Sequence, residues 1–268
     1  MDYSKMEPFE GQNRGLKPLT DWLMLQTSKA IKAGIIPPSP KQEIAVTFMS
    51  GLSPLKVDHD MKTSLDGLWG IGDTSWLGSA WSGAHTPGDP PGTGLMTAIL
   101  SALRGGPPAA TFASKAEPPE VDYAEVKRLK EDIFAPMRRN KGLSPDDAIY
   151  AIQEVVCPIK YNLRRTKDRL EEALSKIVEV QHRLPELWAK DGHGLAKCHE
   201  AMSMAVCAEM TFRAALMRTE SRGWHLREDY PERDDKNWLK WIIIKQDAGK
   251  MVLSAEPVPI DKYKFKPQ

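Results

Sequence analysis

The sequence predicts an α+β chain: the closing segment of a dinucleotide-binding α/β domain, followed by a C-terminal helical bundle with a terminal β-hairpin. Three observations carry this expectation. Residues 41–106 read in the order strand, turn, strand, loop, helix, which suits the end of a nucleotide-binding sheet. A stretch rich in proline and alanine comes next, and beyond it the composition shifts to long charged segments with one apolar face. Near the end, two β-prone runs flank Asp247-Ala248-Gly249, a hairpin-turn sequence. The corresponding boundaries are 1–106 for the nucleotide-binding portion, 107–121 for a linker, 122–237 for the bundle and 238–268 for the hairpin and tail.

Taken in order, residues 20–33 offer a helical face through Trp22, Leu23, Leu25 and Ile31, stopped by Gly34 and then Pro37-Pro38. Residues 44–49 are a β-prone run, and residues 67–71 a short apolar strand that ends in Gly72-Asp73. A loop of small residues leads to Pro91-Gly92-Thr93-Gly94. After it, Leu95, Ile99 and Leu103 recur at helical spacing with Met96 and Leu100 beside them, which predicts a buried helix capped by Thr93. Backbone amides at such a helix start, together with the positive end of its dipole, suit a polarised ligand. The bundle helices are expected at 121–139, 145–161, 166–188 and 194–219, antiparallel because their connections are short. Ser144 is placed to cap the second, ahead of Pro145, and the third carries Leu170, Leu174, Ile177 and Val178 on one face. Strands are expected at 238–244 and 251–253, with a tail in which Lys262, Lys264 and Lys266 alternate with Tyr263 and Phe265.

Composition narrows the function. A formal charge of +1 gives no global field for nucleic acid or an anionic membrane. No apolar run approaches a membrane span, and the polar N-terminus is unlike a secretory signal, so the expected location is cytoplasmic, including the cytosolic face of a membrane complex. Cys157, Cys198 and Cys207 show no Cys-x-x-Cys spacing and read as reduced thiols, while His182, His193 and His199 lack ligand spacing, so no metal site is expected. No Gly-x-Gly-x-x-Gly follows a strand, so the element that would hold a dinucleotide pyrophosphate is not found.

Two stretches carry a family likeness. The run GLWGIGD, followed by GAH and GTGLMTAILSALRGG, resembles the last flavin-contacting stretch of the fumarate reductase/succinate dehydrogenase flavoprotein family. Residues 218–231, RTESRGWHLREDYP, resemble that family's Glu-Ser-Arg-Gly-x-His-x-Arg-x-Asp signature, and the likeness continues through Arg233 to Trp238. The resemblance implies an FAD-dependent oxidoreductase whose cofactor is contacted by Gly72, Asp73, Gly83, Ala84, His85, Gly92, Thr93, Gly94 and Leu95. Asp73 would meet sugar or ribityl hydroxyls, and the amides at Thr93–Leu95 the pyrimidine end of the flavin ring, where reduction places negative charge. It also implies an ion-pair network of Arg218, Glu220, Arg222, His225, Arg227 and Asp229 that docks the helical domain on the flavin domain.

The match has departures. The family's Gly-Ala-Asn-Arg loop, whose arginine clamps a substrate carboxylate, here reads Gly83-Ala84-His85-Thr86, so neither fumarate nor succinate is implied and no catalytic residue is assigned. The opening MDYSKMEP resembles an interior stretch of the family, so the chain is expected to correspond to the C-terminal part alone. Its FAD site would be completed by an N-terminal half, on another chain or missing, with an iron–sulfur electron-transfer subunit as a further partner. The alternative is a non-catalytic assembly or interaction module that kept the helical domain and lost the flavin. A strand at 67–71 and a buried helix at 94–103 are corollaries of the flavin reading, and an exposed or extended 95–103 segment overturns the flavin expectation drawn from this local fold.

Overall fold

The computed structural model describes residues 55–75, 93–118, 120–223 and 225–262. The expected helix at 20–33, strand at 44–49, loop residues Gly83, Ala84, His85 and Gly92, and the lysine-alternating tail from Tyr263 lie outside them.

The bundle is the core. Helices α1 (Thr93–Lys115), α2 (Tyr123–Ile133), α3 (Pro145–Val156), the short α4 (Ile159–Asn162), α5 (Lys167–Arg183) and α6 (Gly192–Met217) precede the short α7 (Asp235–Trp238) and a two-stranded sheet. Helix α6 is the spine. Cys198, Ala201, Ala205, Ala208, Phe212 and Ala215 are all buried and alternate steps of three and four residues, so one seam of mostly small side chains faces inward. Against it pack Ala148, Ile152 and Val155 of α3 and Leu170, Ala173 and Ile177 of α5.

Helix ends follow local chemistry. Thr166 Oγ1 accepts from the Arg169 amide at 3.3 Å, and Asp191 Oδ1 accepts from Gly194 N at 2.8 Å, capping α5 and α6. Ser144 occupies the cap position of α3 ahead of Pro145, yet its side chain makes no capping bond. Prolines also split the expected spans. Pro136 opens a 3-10 turn after α2, Pro158 separates α3 from α4, and Pro185 turns the end of α5 into a 3-10 turn.

The hairpin pairs β1 (Lys240–Asp247) with β2 (Lys250–Pro257), antiparallel, from Asp247 opposite Lys250 to Lys240 opposite Pro257. Ala248 (φ 46°) and Gly249 (φ 78°) are both left-handed, the geometry of a two-residue turn that matches strand twist. Trp238, expected in the first strand, lies in α7 instead. No helix among the described residues is long and apolar enough to cross a membrane.

Three expectations for the first part of the chain need correction. Residues 67–71 form no strand: Trp69 makes one isolated bridge to Lys62, and Gly67 (φ 82°) and Gly72 (φ 68°) turn the chain at either end. The described residues supply no neighbouring strand to extend it. Helix α1 is present but its large apolar residues are not buried: Leu95, Met96, Ile99, Leu100 and Leu103 are 52–74% exposed. The turn segment 55–75 lies on the opposite face of the helix, over Ala98, Ser101 and Gly105 and, through Trp69, against Phe112. Finally, α1 runs through Pro107 and Pro108 to Lys115, taking up most of the expected 107–121 linker. The fixed φ of proline is helical, and Ala109 and Ala110 beyond it are strong helix formers.

Candidate functional site

Two groups of the expected site residues fall within the described chain. The first is the corner where the Gly72–Thr74 turn meets α1. Gly72 N donates to Ser101 Oγ at 2.8 Å, and Ser101 Oγ in turn donates to the Ala98 carbonyl at 3.1 Å. Gly105, one helical turn on, lies under Met61, and a Cβ added there would sit 2.9 Å from Met61 Cβ. Ala98, Ser101 and Gly105 therefore form a flat seat for the turn. Asp73 follows Gly72 directly, and its exposed carboxylate meets no described hydrogen-bonding partner. An exposed carboxylate about two helical turns from the start of α1 fits the polyol chemistry of a flavin nucleotide. Thr93, expected as the cap, is instead the first residue of α1, followed by Gly94 and by Leu95, which is open to solvent.

The second group is the charged segment after α6. Glu220 is wholly buried and accepts from four directions: Arg218 Nη1 at 2.6 Å, Arg222 Nε at 2.7 Å and Nη2 at 2.9 Å, and Asp234 N at 2.8 Å. Burial alone would raise its pKa, but the arginines and the Asp234 amide outweigh that and hold it below the usual carboxylate value. Arg227 is 2% exposed and reaches back to the end of α6, donating to the Ala215 carbonyl at 2.8 Å and the Arg218 carbonyl at 3.1 Å. Its other face forks onto Asp229, with both bonds at 2.8 Å, and this lowers the Asp229 carboxyl to about 2.

His225 completes the lock. Arg165 Nη1 lies 3.0 Å from its Nδ1, and its Nε2 lies 3.3 Å from the Arg218 carbonyl. Arginine only donates and a carbonyl only accepts, so the ring is neutral with its proton on Nε2. Burial, then the neighbouring Arg165, push its pKa down to about 3. Burial, and secondarily Arg227, likewise lower Arg165 to about 10.

All six expected network residues thus meet, together with groups that sequence reasoning missed. Asp229 Oδ2 accepts from Lys167 N at 2.8 Å at the start of α5, and Glu228 pairs with Arg164 and Arg169. Arg218 Nη2 donates to the Lys240 carbonyl at 2.6 Å, where β1 begins. Trp238 Nε1 donates to Thr219 Oγ1 at 2.8 Å. The overlooked signal is the Arg164-Arg165 pair just before a helix start, where the dipole disfavours cations unless carboxylates are supplied from elsewhere. Within the described residues this network ties the C-terminal segment to the bundle.

Residues 157–268 match the family described as fumarate reductase flavoprotein C-term. The chain is 28% identical over 202 residues to an uncharacterised FAD-dependent oxidoreductase of Methanocaldococcus jannaschii, covering 74% of this chain and 34% of that protein. It is 27% identical over 208 residues to the succinate dehydrogenase flavoprotein subunit of Bacillus subtilis, covering 71% and 33%. Over 230 residues it is 27% identical to the 8-methylmenaquinol:fumarate reductase flavoprotein subunit of Wolinella succinogenes, covering 81% and 36%. The chain spans about a third of the length of these relatives. Among solved structures, E. coli quinol fumarate reductase FrdA matches with a TM-score of 0.67 at 23% identity, over 80% of this chain and 37% of that one. Adenylylsulfate reductase from Archaeoglobus fulgidus matches with a TM-score of 0.61 at 24% identity, over 80% and 35%. At those identities the likeness is one of fold.

Proposed function

The chain carries the C-terminal part of the fumarate reductase/succinate dehydrogenase flavoprotein family, and on that premise we propose that it contributes the flavin-ring side of an FAD site in an oxidoreductase. The remainder of the site comes from an N-terminal half, on a separate chain or in a longer polypeptide. FAD would supply reversible two-electron chemistry. From this chain, the Asp73 carboxylate accepts hydrogen bonds from polyol hydroxyls. The amides at the start of α1 hold the electron-rich edge of the ring, worth on the order of 1 kcal/mol.

The flavin reading rests on the family likeness, and the observation that speaks for further protein is the bare face of α1. Leu95, Met96, Ile99, Leu100 and Leu103 lie side by side, exposed, on its first turns, while the small-residue face is already occupied. That exposure, with the strand at 67–71 absent, removes the support that the expected local fold would have given the flavin. It supports a site closed by further protein, because a contiguous apolar face of this kind marks an interaction surface. Leu226 and Tyr230, exposed on the loop of the charged network, give the flavin-binding portion a second place to rest. An iron–sulfur subunit would then take the electrons onward.

The same bare face suits an interaction module that has lost its flavin, and one experiment separates the two. The chain is purified with and without the polypeptide that carries the N-terminal half, and absorbance is read at about 450 nm, where oxidised flavin absorbs. Colour in the complex supports the shared FAD site. A colourless complex favours the interaction module.

A further inference from the structure

Serine is an odd choice for residue 101. It lies in the middle of α1 at 4% exposure, on the seat formed with Ala98 and Gly105, where alanine would fit and favour the helix more. What its hydroxyl does there is specific. It accepts the Gly72 amide at 2.8 Å, a bond between residues 29 apart in sequence, and is held in orientation by donating to the Ala98 carbonyl at 3.1 Å. Gly72 is left-handed (φ 68°) and buried, so its amide belongs to no strand ladder and would otherwise lack an acceptor.

The consequence reaches the next residue. Asp73 leaves the chain from a turn held against α1 by the Gly72–Ser101 hydrogen bond and by Met61 over Gly105, about two turns along from the helix start at Thr93. From this geometry we infer that Ser101 is a positioning residue: it sets the Asp73 carboxylate at a fixed place relative to the α1 amides, so that both face one flavin nucleotide. The inference rests on the proposed FAD site and adds a residue that touches no cofactor atom. Ser101 acts through Asp73, so its effect must vanish when Asp73 can no longer act.

The test uses the native complex or full-length polypeptide, with FAD as the probe. Dissociation constants and flavin midpoint potentials are measured for the unmodified protein, Ser101→Ala, Ser101→Thr, Asp73→Asn and the Ser101→Ala/Asp73→Asn double variant. Ser101→Ala is expected to weaken FAD binding about tenfold, the scale of one hydrogen bond. Ser101→Thr, which keeps the hydroxyl, restores it. The double variant is expected to bind no more weakly than Asp73→Asn alone. Exchange of the Gly72 amide, faster in Ser101→Ala and normal in Ser101→Thr, reports the bond without any flavin. The bundle's own helical signal shows that each variant is folded. Unchanged FAD affinity and potential in Ser101→Ala overturn the inference and leave the FAD site standing. Additive losses in the double variant overturn action through Asp73. An unmodified protein that binds no FAD overturns the site and the inference together.

Discussion

Replacing Glu220 by glutamine removes one charge from the most enclosed part of the network and leaves its shape unchanged. The glutamate is wholly buried, and its two arginine partners are only 12% and 15% exposed at the side chain. A buried ion pair broken from one side costs about 3–5 kcal/mol, because the surviving charge stays desolvated. Both arginines keep other acceptors: Arg218 the carbonyls of Trp238 and Lys240, and Arg222 the Asp235 carboxylate at 2.6 Å. The lower end therefore applies, about 3 kcal/mol. A chain of this size shifts its midpoint by about 2–4 °C per kcal/mol, so thermal unfolding followed by far-UV circular dichroism should fall by roughly 6–12 °C. The acid limb gives an independent check. The folded pKa of Glu220 lies below its ordinary 4.5, so its contribution is complete above that pH and is lost as pH falls through the folded value. The Glu220→Gln variant should lack that part of the acid slope. A midpoint lowered by less than about 2 °C would refute the reasoning, since it would mean the buried arginines need no counter-charge.

Further tests bear on other parts of the molecule. His225 titrates at about 3 when folded and near 6.5 when not, so between those values the unfolded chain binds the extra proton and stability should fall as pH drops from 6.5. Urea unfolding at several pH values should show a shallower fall for His225→Gln. Ile99→Glu with Leu103→Glu, both at exposed positions, should leave isolated-chain stability within about 0.5 kcal/mol while reducing binding of a hydrophobic dye and capture of the N-terminal half. Ala248→Asn should stabilise the hairpin by about 0.5–1 kcal/mol, measured by denaturant midpoint, because asparagine tolerates the left-handed backbone that alanine holds at φ 46°.

Legibility in the sequence differed sharply between the two parts of the chain. The bundle was readable from the apolar spacing of its helices, while their ends were less so. The caps Asp122, Thr166 and Asp191 were not singled out, and Pro136, Pro158 and Pro185 split spans expected to be continuous. Leu170 and Ile177 then declare the buried side of α5 by spacing alone. The hairpin was readable from Asp247-Ala248-Gly249, although β2 runs further than three residues because its pairing with β1, and not its own propensity, decides its length. The 55–75 segment was misread as containing a strand, since an apolar run becomes a strand only beside partners, and the described residues offer Trp69 a single bridge. The burial of α1 was misread for a related reason: periodicity marks which face wants cover, without telling which molecule provides it. Within the charged cluster the six residues were legible as a group, while Arg165 was missed: its place beside Arg164 ahead of a helix start signals a need for carboxylates, but nothing local points to His225, 60 positions away.

The seam along α6 makes tolerance to mutation one-sided. Cys198, Ala201, Ala205, Ala208 and Ala215 have few atoms to lose, so trimming them opens little space. Enlarging any of them drives new bulk into a core already filled by Ile152, Val155, Leu170 and Ile177. Drift at these positions should run toward glycine and serine and away from valine or leucine. The wedge is costly because α3, α5 and α6 share that one core, so bulk added on α6 is felt by both partners.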